Sequence, residues 1–435
     1  MLREIGCADM DELFACIPEE VRLTGDLNLP AGMSERSVRR EMEKTAGKNQ
    51  IFPTIFRGAG AYHHYIPSIV TSVTSKEEFV TAYTPYQAEI SQGILQSIFE
   101  YQTMICELTG MEASNASVYD GATAAAEAIA MCRDRKRSTV YVSAAVNPRV
   151  LQVMRTYCFA SGAELIEVPE AGGATDAAAL AELLAKDKKA ACFYMQQPNY
   201  YGVIEDCDAL AEITHGAKAK LIMGCNPIAL GILKTPGEVG ADIAVGEGQP
   251  LGMPLAFGGP YLGFMAASGA MLRKLPGRIV GETTDANGER AFVLTLQARE
   301  QHIRREKASS NICSNQALCA LTASVYLAAM GPDGLAEVAT QCLSKAHYLE
   351  QVLAEAGLAG KYGKPFFHEF VTVLPEGAAD AQTLLASLAA EGILGGLPLS
   401  DREVLWCATE MNTKEEMDRV GEIASHVLAG EEAAL

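Results

Sequence analysis

Three short apolar runs in the middle of the chain decide its fold class: Ala191-Cys-Phe-Tyr-Met195, Lys220-Leu-Ile-Met223 and Ile243-Ala-Val245. Each run has the length of a buried strand, and segments with helical spacing of their apolar residues lie between them. Strands that alternate with helices form a largely parallel sheet with helices on both faces. Residues 140–143, 164–168 and 263–266 fit the same pattern, so we predict an α/β fold.

The pattern changes on either side of this region. Residues 1–57 have a helical pattern and are predicted to form an N-terminal arm, and residues 58–325 are predicted to form the large α/β domain. A helical stripe over residues 89–108 stops at Gly110, a typical C-terminal cap. Residues 326–435 are predicted to form a small α+β domain. It has a helix broken at Gly331-Pro332-Asp333-Gly334 and strands at 366–374 and 403–408.

Composition excludes several classes of function. The chain has 435 residues, 49% of them apolar, and a net charge of −19, which argues against binding to nucleic acid or to anionic membranes. Its 12 cysteines show no CxxC spacing, so we expect buried thiols in a reducing compartment and assign no metal site. The longest uncharged apolar run, residues 317–330, is too short to span a bilayer. We therefore expect a soluble, cytoplasmic protein.

The segment Ser117-Val-Tyr-Asp-Gly-Ala-Thr-Ala-Ala-Ala-Glu127 predicts a helix that begins after the N-cap Asp120. Backbone amides are free at such an end, where phosphate groups often bind. Asp120 and Thr123 are therefore candidates for a phosphate site. The alternative is a capped, close-packed helix with no ligand.

Several long motifs carry a resemblance to a known family. They are Tyr83-Thr-Pro-Tyr-Gln-Ala-Glu-Ile-Ser-Gln-Gly93, Phe99-Glu-Tyr-Gln-Thr-Met-Ile-Cys-Glu-Leu-Thr-Gly110, Asn115-Ala-Ser117 and Arg299-Glu-Gln-His-Ile-Arg-Arg-Glu-Lys-Ala-Ser-Ser-Asn-Ile-Cys313. These motifs and their order resemble those of the glycine decarboxylase P-protein family, and the resemblance extends over nearly the whole chain. The length is similar to the amino-terminal half of the single-chain forms, which is a separate subunit in many prokaryotes.

The resemblance implies the type I fold of pyridoxal phosphate (PLP) dependent transferases and a division of labour between two subunits. The partner β subunit would bind PLP covalently and decarboxylate glycine, and the aminomethyl group would pass to the lipoyl group of H-protein. The present chain would be the α subunit of an α2β2 assembly. It would complete the active-site cleft.

Two positions of the sequence show whether this chain has the cofactor-binding residues that the resemblance assigns to catalytic relatives. Catalytic relatives have an aspartate in an Asp-Gly-Ala-Asn run and a lysine in an Asn-Leu-His-Lys run, where this chain has Met223-Gly-Cys-Asn226 and Glu247-Gly-Gln-Pro250. Methionine cannot keep a pyridinium protonated, and proline cannot form an imine through its side chain. We therefore predict no catalytic residue and no covalent cofactor in this chain. Lys307 is the rival candidate for a cofactor lysine.

Residues that reach across a subunit interface are the remaining candidates. Tyr62 and His64 lie on a loop with Gly58 and Gly60, and this composition suits the lining of a cleft. The residues Tyr83, Tyr86 and Gln87 surround Pro85 and resemble a loop that approaches the neighbouring active site in related dimers. For both loops the alternative is an interface packed for stability.

A basic cluster and a strand end complete the candidates. The cluster contains Arg299, His302 and Arg304, and it either contacts a partner or forms an internal ion-pair network with Glu300 and Glu306. Asn199 ends the run Gln196-Gln-Pro-Asn199, at the edge where α/β sheets place ligands. Two other functions stay open: a structural or regulatory partner with no residue in the active site, and a self-sufficient PLP homodimer.

Overall fold

The structure is a computed structural model that describes residues 1–23 and 25–430, and the chain divides into two compact units, Met1–Ile51 and Phe52–Leu435. The first unit contains single 3-10 turns at Leu2–Ile5, Asp11–Phe14 and Glu19–Val21 and one helix, α1. Helix α1 spans Glu35–Ala46, and the Ser34 side chain accepts a hydrogen bond from the Ser37 amide at its start. The helical pattern predicted for this part of the chain is therefore realised in α1 and otherwise only in short turns.

The second unit contains the remaining elements. Its strands are β1 Thr54–Ile55, β2 Ala113–Ser114, β3 Thr139–Ser143, β4 Leu165–Val168, β5 Glu170–Ala171, β6 Ala174–Thr175, β7 Ala190–Gln197, β8 Lys220–Cys225, β9 Ile243–Glu247, β10 Gly263–Ala267, β11 Ile279–Thr284, β12 Arg290–Thr295, β13 Ala359–Gly360, β14 Glu369–Val373, β15 Ile393–Leu394, β16 Leu397–Ser400 and β17 Glu403–Cys407. Its helices are α2 Ser68–Thr74, α3 Glu77–Val80, α4 Gln92–Thr109, α5 Gly121–Cys132, α6 Pro148–Ser161, α7 Ala177–Lys186, α8 Cys207–Gly216, α9 Pro236–Val239, α10 Gln301–Arg304, α11 Ala317–Glu355, α12 Ala381–Ala390 and α13 Lys414–Ala429.

The main sheet has seven strands in the described part of the chain, in the order β2-β10-β9-β8-β7-β3-β4. Strands β9, β8, β7, β3 and β4 are parallel, and β10 runs antiparallel to both of its neighbours. All six runs that the sequence marked as strands belong to this sheet. The predicted α/β class with a mostly parallel sheet is confirmed.

Helices cover both faces of this sheet because successive side chains of a strand point to opposite faces. Val142 and Ile222 pack with α5 and α6 on one face. Phe193 and Met223 pack with α7 and α8 on the other face. Both faces are buried, which explains why these strands are continuous apolar runs in the sequence.

Short polar side chains begin the helices, and glycines end several of them. The side chains of Asp120, Asp176 and Asp206 accept hydrogen bonds from amides in the first turns of α5, α7 and α8. Gly110 ends α4 with a φ of 66°, in the left-handed region that glycine adopts without strain. The predicted stop of this helix is confirmed.

Helix α11 is kinked at Gly331, which has φ 62° and ψ −178° and is followed by Pro332. By length and composition alone α11 could cross a membrane. The kink, however, leaves an apolar first segment, residues 317–330, shorter than the roughly 20 residues that a span requires. Ala320, Ala323 and Tyr326 of this segment are buried in the core.

The carboxyl-terminal region contains a four-stranded antiparallel sheet, β13-β14-β17-β16, packed with α12 and α13 around Trp406. Its central strands were predicted from the sequence. The hairpin β11–β12 was missed, because its strands carry exposed charged residues such as Glu282 and Arg290 among their buried apolar ones.

Candidate functional site

A cavity of about 350 Å3 lies at the carboxyl ends of the parallel strands, where sheets of this kind place their ligands. Its walls come from the start of α5, the ends of β7, β8 and β9, the loop after β3 and the loop of residues 58–62. Residues with polar side chains that line it are Tyr62, Asp120, Asn147, Arg149, Tyr194, Gln196, Asn226, Glu247 and Tyr261. Within the described residues, no lysine lines this cavity.

The amino end of α5 forms one wall, and two of its first three amides have carboxylate partners. The Thr123 amide donates to Oδ1 of Asp120 over 2.7 Å. The Gly121 amide donates to Oε2 of Glu247 over 3.0 Å. Asp120 thus acts as the predicted N-cap, and carboxylates accept two of the amides at this helix end, those of Gly121 and Thr123.

Glu247 ends β9 and collects backbone donors from three segments. Besides Gly121, the amides of Gln249 and Leu262 donate to its Oε1 over 3.0 Å and 2.9 Å. Burial raises the pKa of Glu247 to about 7, although all three hydrogen bonds favour the charged form. A β-carbon at position 121 would lie 2.8 Å from the Glu247 nitrogen, so only glycine allows α5 to approach β9 so closely.

The turn after β9 is fixed by Gln249, which is completely buried. Its Oε1 accepts from the Tyr62 amide over 2.8 Å, and its Nε2 donates to the carbonyls of Tyr62 and Met253 over 2.9 Å and 2.8 Å. Pro250 follows directly, is buried and does not line the cavity. The turn is therefore tied to the loop of residues 58–62 and carries no amine.

Met223 does not face the cavity. Its side chain is completely buried and packs with Phe193 and Leu221 on the face of the sheet covered by α7 and α8. The next residue, Gly224, lines the cavity instead. In this backbone a side chain at position 223 points away from the cavity.

Tyr62 is turned into the protein and is only 8% exposed. Its hydroxyl donates to Oε2 of Glu369 over 2.9 Å, and the Ala59 amide donates to the other oxygen over 2.6 Å. Burial raises the pKa of Glu369 to about 7 and holds the pKa of Tyr62 well above its usual value. Tyr62 thus anchors the loop of residues 58–62 to β14.

His64 is also buried, and its Nδ1 lies 2.8 Å from Oε2 of Glu410. The Cys342 thiol donates to the same oxygen over 3.3 Å. Burial opposes the charged carboxylate, but the hydrogen bond and charge of His64 outweigh it and lower the pKa of Glu410 to about 2. His64, Cys342 and Glu410 each offer one atom of a kind that binds metal ions, and these three atoms lie within 4.8 Å of one another. Their hydrogen bonds to Glu410 account for this proximity. Tyr62 and His64, the candidates of the first loop, thus form their side-chain hydrogen bonds within this chain.

The second candidate loop, which contains Tyr83, Tyr86 and Gln87, is exposed rather than buried. Tyr83 is 83% exposed and Tyr86 is 60% exposed, and Gln87 is exposed beside them. The Arg278 guanidinium donates to the Tyr86 hydroxyl over 3.3 Å and lies 5.4 Å from the centre of its ring. This contact fixes Tyr86, whereas the Tyr83 and Gln87 side chains are open to a partner.

Asn199 holds the turn after β7. Its Nδ2 donates to the Gly173 carbonyl over 2.7 Å and to Glu205 over 2.8 Å, and its Oδ1 accepts from the amides of Tyr201 and Val203. Its hydrogen-bonding capacity is used within the fold. Gln196, three residues earlier, lines the cavity and accepts the Asn147 amide.

The basic cluster is partly anchored and partly free. Arg299 donates to the Gly277 carbonyl over 2.6 Å, and the Nδ1 atom of His302 lies 3.7 Å from Glu300. Among the residues that the structure describes, no carboxylate lies within 4.0 Å of the side-chain nitrogens of Arg304 or Lys307. An extended internal ion-pair network is therefore not formed here.

Sequence reasoning missed Glu247, Gln249 and Glu369 as determinants of this region. A signal existed for Glu247, because it is a carboxylate that directly ends the apolar run of β9, at the ligand edge of a parallel sheet. No sequence signal identified Glu369 or Gln249, because their partners lie about 300 and 190 positions away in the chain.

Solved structures with this fold define the class. The sphingosine-1-phosphate lyase of Burkholderia pseudomallei has a TM-score of 0.66 at 16% identity, over 95% of this chain and 94% of its own. Alanine–glyoxylate aminotransferase from Nostoc sp. has a TM-score of 0.61 at 18% identity, over 87% of this chain and 96% of its own. The chain has the fold of the PLP-dependent transferases.

Within that class, the chain belongs to the glycine cleavage system P-protein family, whose model matches residues 1–423. A crystal structure of glycine decarboxylase (P-protein) of the glycine cleavage system, in inhibitor-bound form, has a TM-score of 0.91 at 44% identity and covers 98% of this chain and 97% of its own. The probable glycine dehydrogenase (decarboxylating) subunit 1 of Moorella thermoacetica is 51% identical over 99% of this chain and 97% of the relative. That of Carboxydothermus hydrogenoformans is 50% identical over 97% and 96%.

The cofactor implied by the fold class does not fit the residues of this cavity. A phosphate group at α5 would meet the carboxylates of Asp120 and Glu247, which already accept the amides of Thr123 and Gly121. A carboxylate and a phosphate group carry charges of the same sign, so these neighbours disfavour a phosphate at this position. The cavity wall of the described chain also offers no lysine amine for a covalent bond.

Proposed function

We propose that this chain is the non-catalytic α subunit, subunit 1, of a two-subunit glycine dehydrogenase (decarboxylating) of the glycine cleavage system. The partner β subunit binds PLP covalently, decarboxylates glycine and passes the aminomethyl group to the lipoyl group of H-protein. The two subunits assemble as α2β2 in the cytoplasm. The α subunit completes the active-site cleft and supplies no covalent chemistry.

The observation that carries this proposal is the cavity at the start of α5, which lies at the ligand edge of the parallel sheet and has no lysine among its described lining residues. Glu247 accepts a hydrogen bond from the Gly121 amide, and no described lysine lines the cavity wall. Pro250 occupies the position at which the resemblance predicts the cofactor lysine. The relatives that match nearly the whole chain are named as subunit 1 of the enzyme, which supports the existence of a second subunit.

The loop that contains Tyr83, Tyr86 and Gln87 is the part of this chain best suited to contribute to the partner's cleft. It is exposed, it carries hydroxyl and amide donors, and Pro85 at its centre is buried and restrains the backbone. Tyr62 and His64 have the separate task of stabilising the fold around the cavity. The exposed Arg304 and Lys307 provide a positive patch for β or for H-protein.

The test is to incubate the purified chain with PLP and glycine, reduce it with borohydride and map any adduct by mass spectrometry. We expect no stoichiometric adduct and no release of carbon dioxide, because the cavity has no lysine among the residues that the structure describes. Addition of β and H-protein should produce decarboxylation. A stoichiometric adduct on Lys307 or any other lysine of this chain would overturn the proposal.

A further inference from the structure

We infer that residues 9–21 are a docking segment, by which the N-terminal unit of this chain holds the partner β subunit on an apolar surface with a basic rim. The inference rests on the proposed function, because that function supplies the second subunit. It goes further by naming the part of this chain that makes the lasting contact.

The first argument is that the N-terminal unit, Met1–Ile51, has no core of its own. None of its described residues is buried, neither in the three 3-10 turns nor in α1. Helix α1 has 12 residues, and an isolated helix of that length is marginal in water. The unit therefore needs contacts outside itself to keep this structure.

The second argument is the amount of apolar surface in this unit. Half of the exposed large apolar side chains in the described part of the chain lie in its 51 residues. Together they present roughly 1,000 Å2, more than the about 800 Å2 that one partner contributes to an interface of standard size. Such an area suits a permanent subunit better than a carrier such as H-protein, which has to dissociate in each turnover.

The third argument is the arrangement of apolar residues within the docking segment. Four of them have the spacing i, i+3, i+4 and i+7, ahead of Pro18: Met10, Leu13, Phe14 and Ile17. They are between 39% and 57% exposed. This spacing is typical of the anchor residues with which a peptide segment binds an apolar groove.

Hydrogen bonds within the unit already hold the backbone of the segment. The Ala8 amide donates to Oε2 of Glu12 over 2.7 Å, and the Glu12 amide donates to Oδ1 of Asp9 over 3.1 Å. The Arg22 guanidinium donates to the Asp11 carbonyl over 2.9 Å. A segment that is ordered before it binds loses less conformational entropy on binding.

The charge of the segment indicates the chemistry of its partner. Residues 9–21 contain no basic residue and five acidic ones, Asp9, Asp11, Glu12, Glu19 and Glu20. A groove with a basic rim complements this pattern. A second copy of this chain has a net charge of −19 and repels the segment, so contacts between copies are the poorer way to cover it.

The experiment is to measure the affinity of full-length variants for the β subunit by isothermal titration calorimetry. Leu13→Ser with Phe14→Ser removes two anchors. Ala15→Ser with Cys16→Ser is the matched control, because these neighbours are exposed and small. We expect the anchor variant to bind β at least about 30-fold more weakly and the control to bind like the wild type. The wild-type affinity should fall as salt concentration rises.

Equal affinity of the anchor variant and the wild type would overturn the inference and leave the proposed function intact, whereas a wild-type chain that does not bind β would overturn both. A lower melting temperature of the isolated anchor variant, with the control unchanged, would mean that the segment packs on its own chain. Loss of self-association with unchanged affinity for β would assign the segment to a second copy. An affinity that does not depend on salt would contradict the basic rim.

Discussion

At the scale of single residues, Glu247 makes the stability of this protein depend on pH. Burial raises its folded-state pKa from 4.5 to about 7, so the folded chain binds more protons than the unfolded chain between these values. The stabilisation is fully present below the lower value and is lost as pH rises through 7. Between pH 5 and 8, the wild-type free energy of unfolding should fall by at most roughly 3 kcal/mol more than that of Glu247→Gln.

Urea denaturation of both proteins at a series of pH values measures this difference. Glu369, whose pKa burial also raises to about 7, is present in both proteins and cancels from the comparison. Glu376→Gln serves as the control for the loss of an exposed carboxylate and should follow the wild type. Parallel stability curves for the wild type and Glu247→Gln would show that the carboxyl at position 247 is not protonated in this range.

Single residues were also the hardest part of the site to predict. The N-cap role of Asp120 follows from local sequence, because the capping contact spans three residues. The inward orientation of Tyr62 depends on Glu369 and Gln249, which are distant in sequence, so the loop composition alone left cleft lining and packing equally open. The face on which Met223 lies depends on the register of β8, which the apolar run does not reveal.

At the scale of elements, the two aromatic loops should behave differently in the assembled enzyme. At least one of the substitutions Tyr83→Phe, Tyr86→Phe and Gln87→Ala should lower kcat/KM by about 10- to 1000-fold, as loss of one positioned polar contact does. Stability of the complex should change little, because these side chains are exposed. Steady-state kinetics with wild-type β and H-protein, together with analytical ultracentrifugation, measures both effects.

Variants of the first loop are the matched controls for this experiment. Tyr62→Phe and His64→Leu each remove a buried hydrogen-bond partner and should lower the free energy of unfolding by about 1–3 kcal/mol. Turnover of the folded, saturated complex should stay near normal. If the three variants of the second loop also retain full turnover, the α subunit has no active-site role and the purely structural partner becomes the correct description.

The elements themselves followed from the sequence wherever burial was uniform. The strands of the parallel sheet are buried on both faces, so each is a continuous apolar run between turns. The hairpin β11–β12 and the N-terminal turns lack such a signal, because burial is mixed along the hairpin strands, the N-terminal turns contain no buried residue, and the apolar residues of both follow no sustained period.

At the scale of the whole molecule, exposed apolar side chains indicate that this chain is not made to exist alone. Ile69, Val80, Ile90 and Phe257 are between 49% and 98% exposed, and Ile90 shares a surface groove with Tyr83. The groove that contains Ile90, Ile94, Tyr83 and Tyr86 is a continuous exposed surface with apolar side chains, which is typical of an interaction site. We expect the isolated chain to self-associate, and co-expression with β to raise its melting temperature.

Sedimentation velocity and thermal melts of the chain with and without β test this expectation. As a control, serum albumin added at the same concentration in place of the β subunit should leave the melting temperature unchanged. A monodisperse monomer whose melting temperature does not respond to β would contradict an obligate partnership. The predicted domain boundaries at residues 57 and 325 are a separate prediction, which limited proteolysis of the complex can address.

The turn after β9 also bears on any attempt to give this chain a covalent cofactor of its own. A lysine at Pro250 would supply an amine by one substitution, but Gln249 holds the turn to the neighbouring loop and Glu247 accepts the Gly121 amide at the start of α5. An acid at Met223 would lie on the face of the sheet that α7 and α8 cover. A designed conversion of this cavity into a cofactor site therefore requires several substitutions together, and we expect no gain from any one of them that a stepwise selection could act on.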